Sequence, residues 1–260
     1  MITPPLDPDS PFTILKGDLK KGLLLIADHA SPYIPSSYSN LGLPPKVLTS
    51  HRAYDIGIAA LTVMLSTQLK APAILSGFSR LLIDPNRGLD DPTLIMQISD
   101  GAIIRGNYPI SENERNQRIN TFYRPYDEAI AQTLQRIEVA SHKSPLTISL
   151  HSFTPQWRGI ARPWHIGLLY HKDKRAFTPL YQTLNAIDSL IIGKNQPYDG
   201  ALSGSTLDRH CGRFGRPHIL IEIRQDLLAT QSAINAWSRR LAPIFNALNQ
   251  MPNLHEKQNF

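Results

Sequence analysis

The chain has 260 residues, with 27 Lys plus Arg against 21 Asp plus Glu and a formal charge of +6. Its 42% hydrophobic and 18% charged residues exclude a disordered chain, and its lone Cys211 excludes a disulfide framework and a multi-cysteine zinc ribbon, though not zinc held by histidine and carboxylate. The 17 Arg and 10 Lys are scattered, adjacent only at Lys20-Lys21, Lys174-Arg175 and Arg239-Arg240, which argues against a nucleic-acid partner.

The length predicts one domain over residues 1–260, with 1–20 and 250–260 as peripheral tails. The opening stretch MITPPLDPDSPF has neither a basic flank nor an apolar segment, and no signal peptide is read there. Candidate strands are Leu23–Ala27, Ala73–Ser76, Thr147–Leu150, His165–Tyr170 and His218–Ile223. Several are nearly all apolar, as strands covered on both faces are. Between them, 55–70 places Ile58, Leu61, Met64 and Leu65 at helical spacing. The long stretch 85–109 is predicted to be an irregular loop over one end of the sheet. Ser111 followed by Glu114 is a capping-box signature for a run containing Ile119, Tyr126 and Ile137, which Pro125 must kink or split. Asp173 and Asp226 are placed to cap two further helices. No apolar run reaches the ~18–20 residues of a membrane span, so the expectation is a cytoplasmic protein with no membrane partner. Strands alternating with helices predict a layered α/β domain with a largely parallel or mixed sheet.

In such sheets chemistry gathers at the carboxyl ends of strands. Asp28-His29 follows the first strand, His151 follows the third, and Glu222-Ile-Arg224 lies on the last. Two imidazoles and a carboxylate suit a catalytic zinc, with a further carboxylate as general base. Each histidine alone reads more readily as a hydrogen-bonded strand end; finding both just after strands brings the two readings level. Asp55 is the best extra ligand, although the pattern alone favours a helix N-cap; Asp28 is a further candidate or an orienting acceptor. Arg80 and Arg87, flanking Asp84 and Asn86, could clamp a carboxylate, or Asp84 could neutralise an arginine. A serine nucleophile in Ser203-Gly-Ser-Thr lacks the usual elbow motif.

The ordered set Leu-Leu-Ile-Ala-Asp-His29-Ala-Ser-Pro-Tyr-Ile-Pro35, Tyr-Asp55-Ile-Gly, Ser79-Arg-Leu-Leu-Ile-Asp-Pro-Asn-Arg87, Leu-His151-Ser-Phe and Ile-Glu222-Ile-Arg-Gln-Asp226 resembles the N-formylglutamate amidohydrolase family. The resemblance runs from about Leu23 to Leu248, and it is the ordered set, not any single motif, that is specific. It implies a zinc-dependent hydrolase with the three-layer αβα fold of the zinc carboxypeptidases and aspartoacylases. It also implies hydrolysis of N-formyl-L-glutamate to formate and L-glutamate, a step of histidine catabolism. By position, His29 and His151 match metal ligands and Asp55 the carboxylate ligand. Glu222 matches the base, and Arg80, Asn86 and Arg87 match substrate-positioning residues.

Two departures stand out. Pro32 occupies the third position after His29, where zinc carboxypeptidases place a ligand Glu, so the carboxylate comes from elsewhere. The first motif reads Asp-His-Ala-Ser and not His-Ser-Gly, which leaves the acyl group and amino acid open. The resulting expectation is one zinc on His29, Asp55 and His151, Glu222 as proton carrier, Arg224 on the oxyanion, and His210 near the acyl group. The rival readings are a binding protein or sensor for a small acidic ligand, and a peptidase-like amidase on longer substrates, discriminated by cleft size.

Overall fold

The computed structural model describes residues 10–260. Among these residues eleven strands form, in chain order: β1 (Phe12–Leu15), β2 (Leu23–Ala27), β3 (Ala73–Ser76), β4 (Ile98–Ser99), β5 (Ala102–Ile103), β6 (Leu146–Phe153), β7 (Gln156–Trp157), β8 (Ile160–Ala161), β9 (Ile166–Leu169), β10 (Ile192–Lys194) and β11 (His218–Arg224). The α-helices are α1 (Pro45–Leu48), α2 (Ile58–Leu69), α3 (Glu112–Arg118), α4 (Arg124–Ser141), α5 (Phe177–Asn185), α6 (Thr206–His210) and α7 (Gln231–Asn249). Seven strands build one mixed sheet in the order β1-β3-β2-β6-β11-β9-β10, whose centre, β3 through β11, is parallel. β1 and β9 pair antiparallel to their inner neighbours, and β10 runs parallel to β9.

Alternation along each apolar strand feeds two cores. Leu23, Leu25, Ile148, Leu150, Ile219 and Ile221 pack with Leu61 and Leu65 of α2, Leu180 of α5 and Leu241 and Phe245 of α7. Leu24, Ile26 and Ile74 face the other way, onto Tyr126, Ile130 and Leu134 of α4. The domain is therefore a three-layer αβα sandwich. On the α4 side the helix layer stops short: beyond β6, Leu220 and Glu222 of β11 and Leu169 of β9 line a cavity instead.

Ser111 caps α3 through Glu114 N at 3.2 Å, as the sequence predicts. Pro125 sits in the first turn of α4, and the π-helical turn Ile119–Tyr123 joins α3 to it. The wider turn accommodates the missing proline N–H without the chain leaving helical conformation. Three predicted caps fail because other partners take the carboxylates. Asp173 accepts from Arg175, Asp226 pairs with Arg224, and α7 is capped by Thr230 instead. Asp55 does not cap α2, which begins after Gly57 with no side-chain cap.

The ends of the described chain are also packed. β1 forms the sheet edge, and Leu254 is buried in the core. Among the described residues no helix is long and apolar enough to cross a membrane.

The loop after β3 is folded around Arg118, which is only 2% exposed. Its guanidinium donates to Leu82 O at 3.0 Å, Asn107 Oδ1 at 2.6 Å, Gly106 O at 2.9 Å and Glu114 Oε1 at 2.7 Å. Replacing Arg118 by Ala leaves the buried carbonyl and amide acceptors without a donor and is expected to cost about 2–3 kcal/mol. Urea unfolding measures it; a loss below about 1 kcal/mol would contradict this account of the loop.

Candidate active site

The strand ends bring five distant segments together. β6 runs past its predicted end to Phe153, so His151 lies inside a strand, with Glu222 of β11 directly beside it in parallel register and on the same face. His29 follows β2, and its carbonyl accepts from Asp55 N at 2.9 Å. Gly57, at φ 83°, turns the chain into α2 where any Cβ would lie 2.5 Å from Leu228 Cβ. With the helix started two residues later, the Asp55 carboxylate is free to face the histidines.

His29, Asp55 and His151 are all buried, and one ligand atom from each lies within 4.8 Å of the others. The two rings meet edge to face with centroids 4.9 Å apart. Asp55 Oδ2 is 2.9 Å from His151 Nδ1 and 3.5 Å from His29 Nδ1. It also accepts from Ser152 N at 3.2 Å.

The opposite ring nitrogens are held by carboxylates from behind. His29 Nε2 is 2.8 Å from Asp84 Oδ1, and His151 Nε2 is 3.3 Å from Asp28 Oδ2 and 3.1 Å from Ser149 Oγ. Such a partner fixes the proton of His29 on Nε2 and leaves Nδ1 as the ligand atom, whereas His151 has a carboxylate at each nitrogen and must give up the Nδ1 proton to a metal. For His29 the arrangement is reinforced by Arg80 Nη1, a pure donor, 3.3 Å from Nδ1. Asp84 is itself held by Arg80 Nη2 and Asn86 N, both at 2.9 Å. Asp28 is held by Tyr126 OH and Thr206 Oγ1, also at 2.9 Å. Asp28 is thus an orienting acceptor, and Asp84 serves both a histidine and an arginine.

Burial alone would raise each carboxylate. For Asp28 and Asp55 the two histidines outweigh it and hold them below the ordinary range. For Asp84, His29 and Arg80 do the same. Burial disfavours charge on His151 as well, yet Asp28 and Asp55 push it up to about 10. Glu222 behaves oppositely. Its burial, with the Asp55 charge added, pushes it up to about 8 against the pull of His151, Arg80 and Arg162. Its Oε2 is buried without a hydrogen-bond partner. Room for this side chain comes from the neighbouring strand, where Gly167 lies opposite Glu222 and its absent Cβ avoids Gln196 O.

Seven of the nine predicted site residues, His29, Asp55, Arg80, Asn86, Arg87, His151 and Glu222, line one cavity of about 790 Å³. Arg87 is anchored through its carbonyl by Tyr123 OH at 2.8 Å and Arg209 Nη1 at 3.1 Å. Asn86 Oδ1 accepts from Thr206 N at 3.0 Å.

Two residues do not join them. The Arg224 guanidinium is engaged by Asp226 at 2.8 Å and by the carbonyls of Arg162 and Pro163 at 3.2 and 3.3 Å, outside the cavity lining. His210 Nε2 is tied to Asp127 Oδ1 at 2.6 Å and is likewise outside. Sequence reasoning missed Tyr198, which lines the cavity and whose hydroxyl accepts from Arg162 at 3.3 Å. It stands in an irregular loop with no motif to mark it.

Buried nitrogen and oxygen donors, histidines oriented by carboxylates and an adjacent partnerless glutamate suit a small divalent cation. Such a cluster at the strand ends of a layered α/β domain has the parts that a metal-dependent hydrolase needs. The chain is a member of the N-formylglutamate amidohydrolase family, whose profile matches residues 21–229. Gene product Atu2144 from Agrobacterium tumefaciens is similar at 30% identity and a TM-score of 0.86, covering 93% of this chain and 95% of that one. The N-formylglutamate amidohydrolase from Ralstonia eutropha JMP134 shares the fold at 20% identity and a TM-score of 0.72, covering 93% and 97%. No curated protein matches the chain.

Proposed function

We propose that this chain is a zinc-dependent amidohydrolase that cleaves an N-formyl or other N-acyl amino acid, with N-formyl-L-glutamate as the reference substrate. The observation that carries the reading is the buried His29–Asp55–His151 cluster with the partnerless Glu222 Oε2 beside it. His29, Asp55 and His151 would hold the ion. When bound, zinc supplies Lewis acidity toward water and the scissile carbonyl.

Glu222 accepts the proton of the attacking water at its carboxylate and returns it to the leaving amine nitrogen. A carboxylate pushed up to about 8 suits both halves of that transfer near neutral pH. Arg80, whose Nη1 lies 3.3 Å from His29 Nδ1, takes the oxyanion role first expected of Arg224. Arg87 and Asn86 grip the substrate carboxylate. Water adds to the carbonyl, the C–N bond breaks, and the free acid and amino acid leave.

Metal content of the purified protein together with hydrolysis of N-formyl and N-acyl amino acids tests the proposal. About one zinc per chain with amide turnover is the expected result. Protein that takes up no metal after incubation with zinc sinks the reading.

The metal-free cluster also sets a pH dependence. With His151 pushed up to about 10, its Nδ1 carries a proton that an incoming ion must displace. Zinc affinity, measured by chelator competition, is therefore expected to rise with pH, by up to about tenfold per unit between pH 6 and 9. A flat profile would show that His151 gives up no proton to the metal.

A further inference from the structure

The cavity does not end at the reactive groups. Along β11, Glu222, Leu220 and His218 alternate with core-facing Ile219, Ile221 and Ile223, and all three line the same space. Four strand residues at about 3.3 Å each put His218 roughly 13 Å from Glu222. The middle of this trough is apolar, formed by Leu220 and its cross-strand partner Leu169. Its far end is lined by Lys172 and Arg213, the latter 59% exposed at its side chain and paired with Asp208 at 3.0 Å. A volume of about 790 Å³ lies toward the upper end of what drug-sized ligands fill, far more than a formyl amino acid needs.

Asn86, whose N–H donates to the Asp84 carboxylate that holds His29, and Arg87 next to it stand at the histidine end of the cavity, while the trough runs away from Glu222 along β11. With the amino-acid carboxylate there and the scissile carbonyl between, the trough receives the acyl side. We infer that the preferred substrate carries a long, linear acyl chain, about eight to ten atoms, ending in a carboxylate at the Lys172–Arg213 end. The inference deepens the amidohydrolase reading and rests on it for the cleavage step. Water supplies hydroxyl to the acyl carbon and a proton to the amine, so a dicarboxylic acid and an amino acid are released.

Three probes test it: N-formyl-L-glutamate, and L-glutamate acylated with nonanoic acid or with the nine-carbon dicarboxylic acid azelaic acid. Binding is measured by calorimetry to Glu222→Gln protein, and turnover on the unmodified protein. The azelaoyl compound is expected to bind at least ~10-fold more tightly than the formyl compound and more tightly than the nonanoyl one. Leu220→Trp, which fills the trough, should abolish that gain without changing formyl binding. Lys172→Gln with Arg213→Gln should remove the preference over nonanoyl.

Equal affinity for formyl and azelaoyl compounds overturns the inference, as does equal affinity for nonanoyl and azelaoyl. Formyl turnover without an azelaoyl gain leaves the amidohydrolase reading standing and this one refuted. The azelaoyl gain with no amide hydrolysed does the reverse: the long site is real and the hydrolase assignment fails.

Discussion

Glu222→Gln is expected to lower turnover ~100-fold or more while the protein keeps its metal. The argument rests on what the residue touches. Glu222 sits beside His151 in register and lines the cavity, yet its Oε2 is buried with no hydrogen-bond partner. A buried acceptor left unpaired costs stability, of order 1–3 kcal/mol. The amide of glutamine has the same shape and cannot carry the proton, so the change removes the transfer and little else. Because neutral glutamine suits the buried position, the variant should be as stable as the parent or slightly more so. Steady-state rates, zinc content and thermal unfolding together check this. Turnover near the parent level would remove Glu222 from the proton path, and zinc loss would make it a ligand instead.

The part of this arrangement legible in the sequence was the part written in local pattern. Leu23–Ala27 and Ala73–Ser76 are apolar on both faces, and each forms a strand with the predicted limits. The strands of the seven-stranded sheet that the pattern does not mark, Phe12–Leu15 and Ile192–Lys194, are its two edges. Each has only one neighbour and too few buried positions to leave a pattern.

His151 was expected just beyond a strand, but Ser152 and Phe153 continue the pairing with β11, and this is what sets its ring beside Glu222. Arg224 and His210 were near the site in sequence, yet Asp226 holds one and Asp127, 83 positions away, holds the other. A sequence names the donor; it does not say which of several carboxylates will claim it. Asp55 illustrates the reverse. Its pattern favours a cap, and only the positive φ of Gly57, which delays the helix, frees it for the histidines. The orienting role of Asp84 depends on a contact 55 positions distant and left no local trace beyond its neighbouring arginine.

His151→Ala should lose the metal and, separately, destabilise the metal-free protein. The imidazole stands between two buried carboxylates, 2.9 Å from Asp55 and 3.3 Å from Asp28. Both carboxylates are held below the ordinary range against their burial by the histidines, so removing one ring leaves charge buried without its partner. Stranding a buried charge in this way costs about 3–5 kcal/mol. Asp28→Asn makes the contrast. It keeps an acceptor for His151 Nε2 and relieves one buried negative charge, so the fold should tolerate it better. The ring then loses the anionic partner that strengthens it as a ligand, and zinc affinity should fall about 10- to 100-fold. Zinc titration and urea unfolding of the two metal-free variants separate the effects. The expected pattern is complete metal loss with marked destabilisation for His151→Ala, and weakened metal with a smaller stability change for Asp28→Asn. If both variants bound zinc as the parent does, the ion would have to lie elsewhere, and the buried carboxylate–histidine array would be structural alone.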